Sequence, residues 1–142
     1  MLKQITAFAL TSVSLLSLNV STVLAKPTQT YSRYKSFYPS NCSVFLKGSK
    51  FDCNYVVIGA FDNGTGNIKL CSEAHCLILI LNRNQLQNAA NGKNFYIWQM
   101  SLQKGSYIEA EFDTSMRCNL RNSEMSCIGE FKNGSSIGVY VK

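Results

Sequence analysis

Two cysteines, a carboxylate and the only histidine of the chain fall within six residues: Cys71, Glu73, His75 and Cys76. Thiolate, carboxylate and imidazole are donors that zinc or copper accepts. One histidine and a Cys-x4-Cys spacing supply too few ligands unless a second cysteine pair elsewhere stays reduced. An oxidising compartment would turn the same two cysteines into a disulfide. The even total of six (Cys42, Cys53, Cys71, Cys76, Cys118 and Cys127) favours that outcome. No metal ligand set and no cofactor are assigned.

Glu109 and Glu111 form the second candidate pair. On one face of a strand their Cα atoms stand ~7 Å apart, a separation that could suit the two carboxylates of a glycosidase. Alternating carboxylates are also what a solvent-facing strand displays. The chain has no Gly-x-Ser-x-Gly, no phosphate-binding glycine loop, no dinucleotide fingerprint and no EF-hand pattern. No catalytic residue is assigned, and a small extracellular hydrolase using Glu109 and Glu111 stands as the alternative to a binding protein.

Cations give the third set. The formal net charge is +6 over 142 residues, a moderate excess that favours acidic partners without demanding one. Lys47, Lys50, Arg83, Lys93, Arg117 and Arg121 lie at or near expected turns. They are the candidate contacts for an anionic envelope polymer or a secreted protein. Tyr31, Tyr34, Phe37 and Tyr38 alternate with Arg33 and Lys35 in KPTQTYSRYKSFYP. Rings beside cations suit a glycan or nucleic-acid surface, although packing of these rings on the domain is the plainer role. No specific nucleic-acid motif is present.

The elements that must position these residues are strands. Met1–Ala25 reads as a secretory signal peptide, with Lys3 before the apolar Ile5–Leu18 and Val23-Leu24-Ala25 before Lys26. The expected layout is a leader over 1–25, an irregular lead-in over 26–40 and one β-rich domain over 41–142. That layout places the protein in the periplasm or outside the cell, with no transmembrane segment after cleavage.

Within the domain, turn signals punctuate apolar runs. Lys47-Gly48-Ser49 separates Ser43–Leu46 from Phe51–Ile58. Asn63-Gly64-Thr65-Gly66 separates Val56–Phe61 from Asn67–Cys71. The run Leu77–Leu81 has no polar alternation and reads as a strand covered on both faces. His75 is placed at the exposed tip of its loop. Asn82–Lys93 is the one helix candidate, with Asn84 as N-cap, a stripe of Leu86, Ala89 and Ala90, and Gly92 at the end.

Phe95–Leu102 returns to strand, with Tyr96, Trp98, Met100 and Leu102 assigned to one face. Tyr107–Phe112, Met116–Leu120, Met125–Phe131 and Ser136–Val141 follow. Centring the hairpins predicts the bridges Cys42–Cys53, Cys71–Cys76 and Cys118–Cys127. The last two fall at non-hydrogen-bonded sites, where side chains approach closely. With a strict two-residue turn, Cys42–Cys53 falls at a hydrogen-bonded site instead, and a Gly-bulge would shift that register.

Ile58–Thr65 and Ile128–Ser135 echo one another 70 residues apart, which suggests two similar turn units rather than a repeat protein. Asn41, Asn63 and Asn133 begin glycosylation sequons, relevant in a eukaryotic host. The fold class is all-β with one short helix, a small antiparallel β-barrel or sandwich stapled by disulfides.

The cysteine layout, with CLILIL and NGKNFYIWQ, resembles that of small exported cyanobacterial proteins. That resemblance spans most of the mature chain and implies export without transferring a site. Lysozyme inhibitors with lipocalin-like barrels offer a functional analogy at fold level, and it implies inhibition of a secreted hydrolase. Their Ser-Gly-x-x-Tyr loop has no counterpart in this sequence.

Overall fold

Short β-branched and aliphatic runs joined by Asn, Gly and Ser can satisfy their backbones only as hairpins. The computed structural model describes residues 26–27 and 30–142, so the leader assigned to Met1–Ala25 lies outside the described residues. The elements are β1 (Lys26–Pro27), β2 (Arg33–Phe37), β3 (Cys42–Leu46), β4 (Ser49–Asp52), β5 (Tyr55–Ala60), β6 (Gly66–Cys71) and β7 (His75–Leu81). They continue with α1 (Arg83–Ala90), β8 (Phe95–Lys104), β9 (Tyr107–Arg121), β10 (Glu124–Phe131) and β11 (Ser136–Val141).

The strands form one antiparallel sheet in the order β2-β5-β6-β7-β8-β9-β10-β11-β3-β4, with β1 paired to β9. The sheet curls into a half-barrel. One detail dictates the curl. β4 ends the sheet on one side while β5 lies next to the other end, yet only Cys53 and Asn54 separate them in sequence. The expected single strand Phe51–Ile58 is therefore two strands. It breaks where the chain changes partner: Cys53 N–H donates to Cys42 O at 3.0 Å, and the next residue, Asn54, donates to Cys71 O at 2.9 Å.

Inside the curl lie Val56, Ile68, Leu70, Leu77, Leu79, Leu81, Phe95, Ile97, Met100, Met116, Ile137, Val139 and Val141, all buried. The Leu77–Leu81 run is central, as its composition suggests. Leu77, Leu79 and Leu81 face the core, and Ile78 is buried on the opposite face. Lys69 Nζ donates to Gln103 Oε1 at 2.9 Å, linking β6 to β8 across β7 on that outer side.

All three expected disulfides form, and no described cysteine is free. Cys71–Cys76 and Cys118–Cys127 have Cα separations of 4.0 and 4.1 Å, against 5.0 Å for Cys42–Cys53. Those values follow the narrow and wide pair types of an antiparallel ladder. The Lys47-Gly48 turn is a strict two-residue turn with both φ angles positive, +52° and +83°, so no bulge relieves the first bridge. Three disulfides suit an oxidising compartment. Among the described residues no helix is long and apolar enough to cross a membrane.

Several sequence expectations need correction. α1 starts after Asn82, not Asn84. Asn82 Oδ1 accepts from Gln85 N–H at 2.9 Å while Gln85 Oε1 accepts from Asn82 N–H at 2.8 Å, a capping box that outcompetes the later asparagine. Gln85 and Ala89 are its buried residues, and Ala90 is exposed. Tyr107–Phe112 and Met116–Leu120 are one 15-residue strand, because Asp113–Ser115 continue pairing instead of turning.

The lead-in, expected to be irregular, contributes the edge strand β2. Its residues are mostly exposed, so no hydrophobic period announces it. Tyr31 lies on Gly59, where an added Cβ would meet its ring at 2.1 Å, and its hydroxyl donates to Asn67 Oδ1. It also stacks on Phe61 at 5.2 Å between centroids.

Two stability measurements follow. Replacing Cys118 and Cys127 together by Ala frees a loop in the unfolded chain and is expected to cost about 2–3 kcal/mol in denaturant unfolding. Burial holds the Tyr31 phenol well above its ordinary range. The unfolded chain then loses that proton first, near pH ~10, so the Tyr31 contribution is full below that pH and declines as pH rises further. Lys69, lowered by burial, works in the opposite sense. Comparing Tyr31→Phe with wild type isolates the tyrosine: about 1 kcal/mol lost at neutral pH, and a shallower alkaline decline.

Candidate functional site

Strand β8 cannot alternate from end to end. Phe95 and Ile97 face the core, and so do Met100 and Leu102, which are out of phase with them by one residue. The register slips between Ile97 and Gln99, leaving Trp98 and Gln99 as adjacent exposed residues on the outer face. Bulges of this kind re-aim side chains. The expectation that Tyr96 and Trp98 share a face with Met100 and Leu102 is corrected by this bulge.

Around Trp98 the outer surface forms a pocket of ≈ 340 Å³ lined by Ile80, Asn82, Gln85, Trp98, Gln99, Asp113 and Thr114. Its polar groups divide into two sets. Asn82 and Gln85 hold the start of α1, and Thr114 Oγ1 donates to Glu130 O at 2.9 Å. The side chains of Gln99 and Asp113, cross-strand neighbours, have no hydrogen-bond partner among the described residues. Trp98 is 53% exposed and stacks on Tyr96, with centroids 5.7 Å apart and planes 12° apart.

Tyr96 opens a row that crosses the outer face from strand to strand. Tyr96 pairs with Arg117, Arg117 with Ile128, Ile128 with Gly138, Gly138 with Phe45 and Phe45 with Lys50. Adjacent strands are ~4.8 Å apart. Ile128 is 76% exposed, and Tyr140 and Phe45 flank it, also exposed. Gly138 between them adds no side chain to this surface, and a Cβ there would make only ordinary contact with the Phe45 ring, at 3.8 Å.

The six expected cations do not gather in one patch. Lys50 pairs with Asp52 at 3.6 Å. Arg83 Nε donates to Asn63 O at 2.6 Å, and Arg121 Nε donates to Gly92 O at 3.1 Å, so one arginine ties the start of α1 to the β5–β6 turn and the other holds the turn that follows α1. Arg121 comes beside the Gly92–Lys93 segment, and Lys93 is exposed there. Lys47 Nζ sits 5.8 Å from the centroid of the Phe131 ring. Of the six, Arg117 lies within the aromatic row and Lys50 ends it, paired there with Asp52.

His75 is not at a loop tip. It opens β7, lines a cavity within the curl and places Nε2 3.8 Å from Glu109 Oε2. The tip is Ser72-Glu73-Ala74, closed by Ser72 N–H donating to His75 O at 2.8 Å. Glu109 is the residue skipped by a second register shift, between Leu102 and Gln103 on the partner strand, while Glu111 stays paired with Ser101, so the two are not equivalent positions of one regular strand face. Glu111 borders the mouth of a neighbouring cleft. Among the described residues no group of three His, Cys, Asp or Glu is placed to hold a metal.

The two echoed turns match bond for bond. Phe61 N–H donates to Thr65 O and Phe131 N–H to Ser135 O, each at 2.8 Å. Asn63 and Asn133 each accept from the backbone two residues on at 3.0 Å.

No family model matches this chain, and no curated protein or solved structure is similar to it. Its site is therefore read from its own geometry.

The residues missed from sequence are Gln99 and Asp113, together with the partnership of Tyr96 and Trp98. The signal was the phase slip between Ile97 and Met100. Trp98 is the only tryptophan, so its fluorescence reports this pocket alone. Acrylamide is expected to quench it nearly as well in the native protein as in the unfolded chain. A strongly shielded native signal would contradict the exposed placement.

Proposed function

We propose that this is an exported, non-catalytic binding domain for an acidic polysaccharide of the cell envelope or extracellular matrix. The observation that carries the reading is the bulge that sets Trp98, stacked on Tyr96, beside the unengaged amide and carboxylate of Gln99 and Asp113. A sugar ring offers an apolar C–H face to an aromatic plane and hydroxyls to amides and carboxylates at its edge. Trp and Tyr supply such contact area with little loss of side-chain freedom.

The chain direction follows from the row Tyr96–Arg117–Ile128. The strand spacing is close to the length of one hexose unit, so a polymer lying across the strands meets about one strand per sugar. Arg117 then faces acidic substituents, and the positive charge of the whole chain assists approach. Export rests on the signal-like Met1–Ala25 and on the three disulfides.

Affinity electrophoresis through gels containing polygalacturonate or another acidic polysaccharide tests this directly. Wild-type protein is expected to be retarded, and Trp98→Ala to lose at least tenfold in affinity while unfolding at the same denaturant concentration. Arg117→Gln is expected to weaken binding and flatten its salt dependence. Equal mobility of wild type and Trp98→Ala across acidic and neutral polysaccharides would end the proposal. Hydrolysis of the polymer, lost in Glu109→Gln or Glu111→Gln, would move the protein to the hydrolases.

A further inference from the structure

We infer that the open side of the half-barrel is a second binding site, for a single-chain amphiphile with an anionic head group, meeting the outer-face pocket only at Asp113. Between the β3–β4 hairpin and strands β7–β9 the curl does not close. A cavity of ≈ 340 Å³ reaches in past Val44, Leu70 and Leu102, and an outer one of ≈ 600 Å³ continues it past Phe112 and Phe131. The two share Leu46, Phe51 and Leu77 as common wall. Both sizes lie within the range of small-molecule sites.

The walls are not ordinary surface. Val44, Leu70, Leu77 and Met100 belong to the same inner face as the core and, themselves buried, form the floor of the cleft. Phe51, 53% exposed, and Phe112, 39% exposed, stand uncovered at the lip. Water against such a surface is unfavourable relative to apolar contact. An aliphatic chain inserted along the cleft would restore that contact. The Cys42–Cys53 bridge and the Asn54 to Cys71 hydrogen bond hold the two walls at their inner junction.

The mouth selects the head group. Lys47 comes from the β3–β4 turn and Lys132 from the β10–β11 turn, and both border the outer cavity. Neither has an ion-pair partner among the described residues. Of the carboxylates nearby, Asp52 is paired with Lys50 at 3.6 Å, and Glu109 lies beside His75 at 3.8 Å. Glu111 and Asp113 border the β9 side of the mouth, which places an anion on the lysine side.

A peptide is the weaker occupant. β4 is only four residues long, and its Ser49 and Phe51 backbones already face β3, which leaves Lys50 and Asp52 alone to template an added strand.

The test is titration of the disulfide-intact mature protein with 11-(dansylamino)undecanoic acid, followed by displacement with unlabelled palmitate and with hexadecanol. Saturable 1:1 binding with a blue-shifted dansyl signal is expected, displaced by palmitate at least tenfold more effectively than by hexadecanol. The double variant Lys47→Glu, Lys132→Glu is expected to erase that preference for the acid. Phe51→Ala, at an exposed position that the fold does not need, is expected to weaken both ligands about fivefold. Absence of saturable binding would overturn the inference. So would binding indifferent to both the lysine pair and Phe51, or a dimer on gel filtration that buries the cleft. None of these readouts involves polysaccharide, so the outcome is independent of the outer-face proposal.

Discussion

The structure depends on one covalent constraint: consecutive residues of the chain belong to opposite ends of the same sheet. β4 and β5 are joined through Cys53 and Asn54, while the ladder between them runs the long way round through seven other strands. A flat sheet of that width would hold them far apart, at ~4.8 Å per strand. The chain connection forces the sheet to roll up, and rolling up is what turns one face into a core. The burial of Ile68, Leu79, Leu81, Phe95, Ile97 and Met116 thus follows from the connection as much as from their own hydrophobicity. Close approach is demanded elsewhere too. At Gly129 an added Cβ would lie 2.1 Å from Ser115 O, so any side chain would push β10 off β9.

Much of the fold was legible because hairpin chemistry is local. Lys47-Gly48, Asn63-Gly64, Asn122-Ser123 and Asn133-Gly134 announce turns, and the cysteines then fall opposite one another by counting. What escaped was set by residues distant in sequence. Phe51–Ile58 looks continuous until its two halves are seen to have different partners. β2 carries no period because little of it is buried. Asn84 is an acceptable cap in isolation, but Asn82 with Gln85 satisfies two backbone donors instead of one. His75 seemed a loop residue because nothing local shows that β7 begins one residue before Cys76.

The candidate sites divide in the same way. Arg117, Lys47 and the aromatic character of FYIWQ could be named from the sequence, and the phase slip that exposes Gln99 was present in the spacing of Ile97 and Met100. Their grouping could not be read. Arg83 and Arg121 resemble free surface cations until the turn carbonyls they hold come into view. The open side of the barrel is a property of closure alone, since Leu46, Phe51 and Leu102 look like any other core residues in a linear string. Two surfaces of opposite character result: a convex one that offers flat rings and polar edges, and a concave one that offers aliphatic walls.

The locality of the three bridges bears on how such a chain acquires its crosslinks. Each joins cysteines only 5, 9 or 11 positions apart, within or at the end of a single hairpin. A hairpin forms in microseconds, whereas sulfur chemistry takes seconds or longer. Native partners therefore meet before oxidation is complete, and before the ends of the sheet find one another. Non-native pairs have to compete against neighbours already held at bonding distance. Correct oxidation asks little of a shuffling catalyst, and the slow, non-local event left for last is the pairing of β11 with β3.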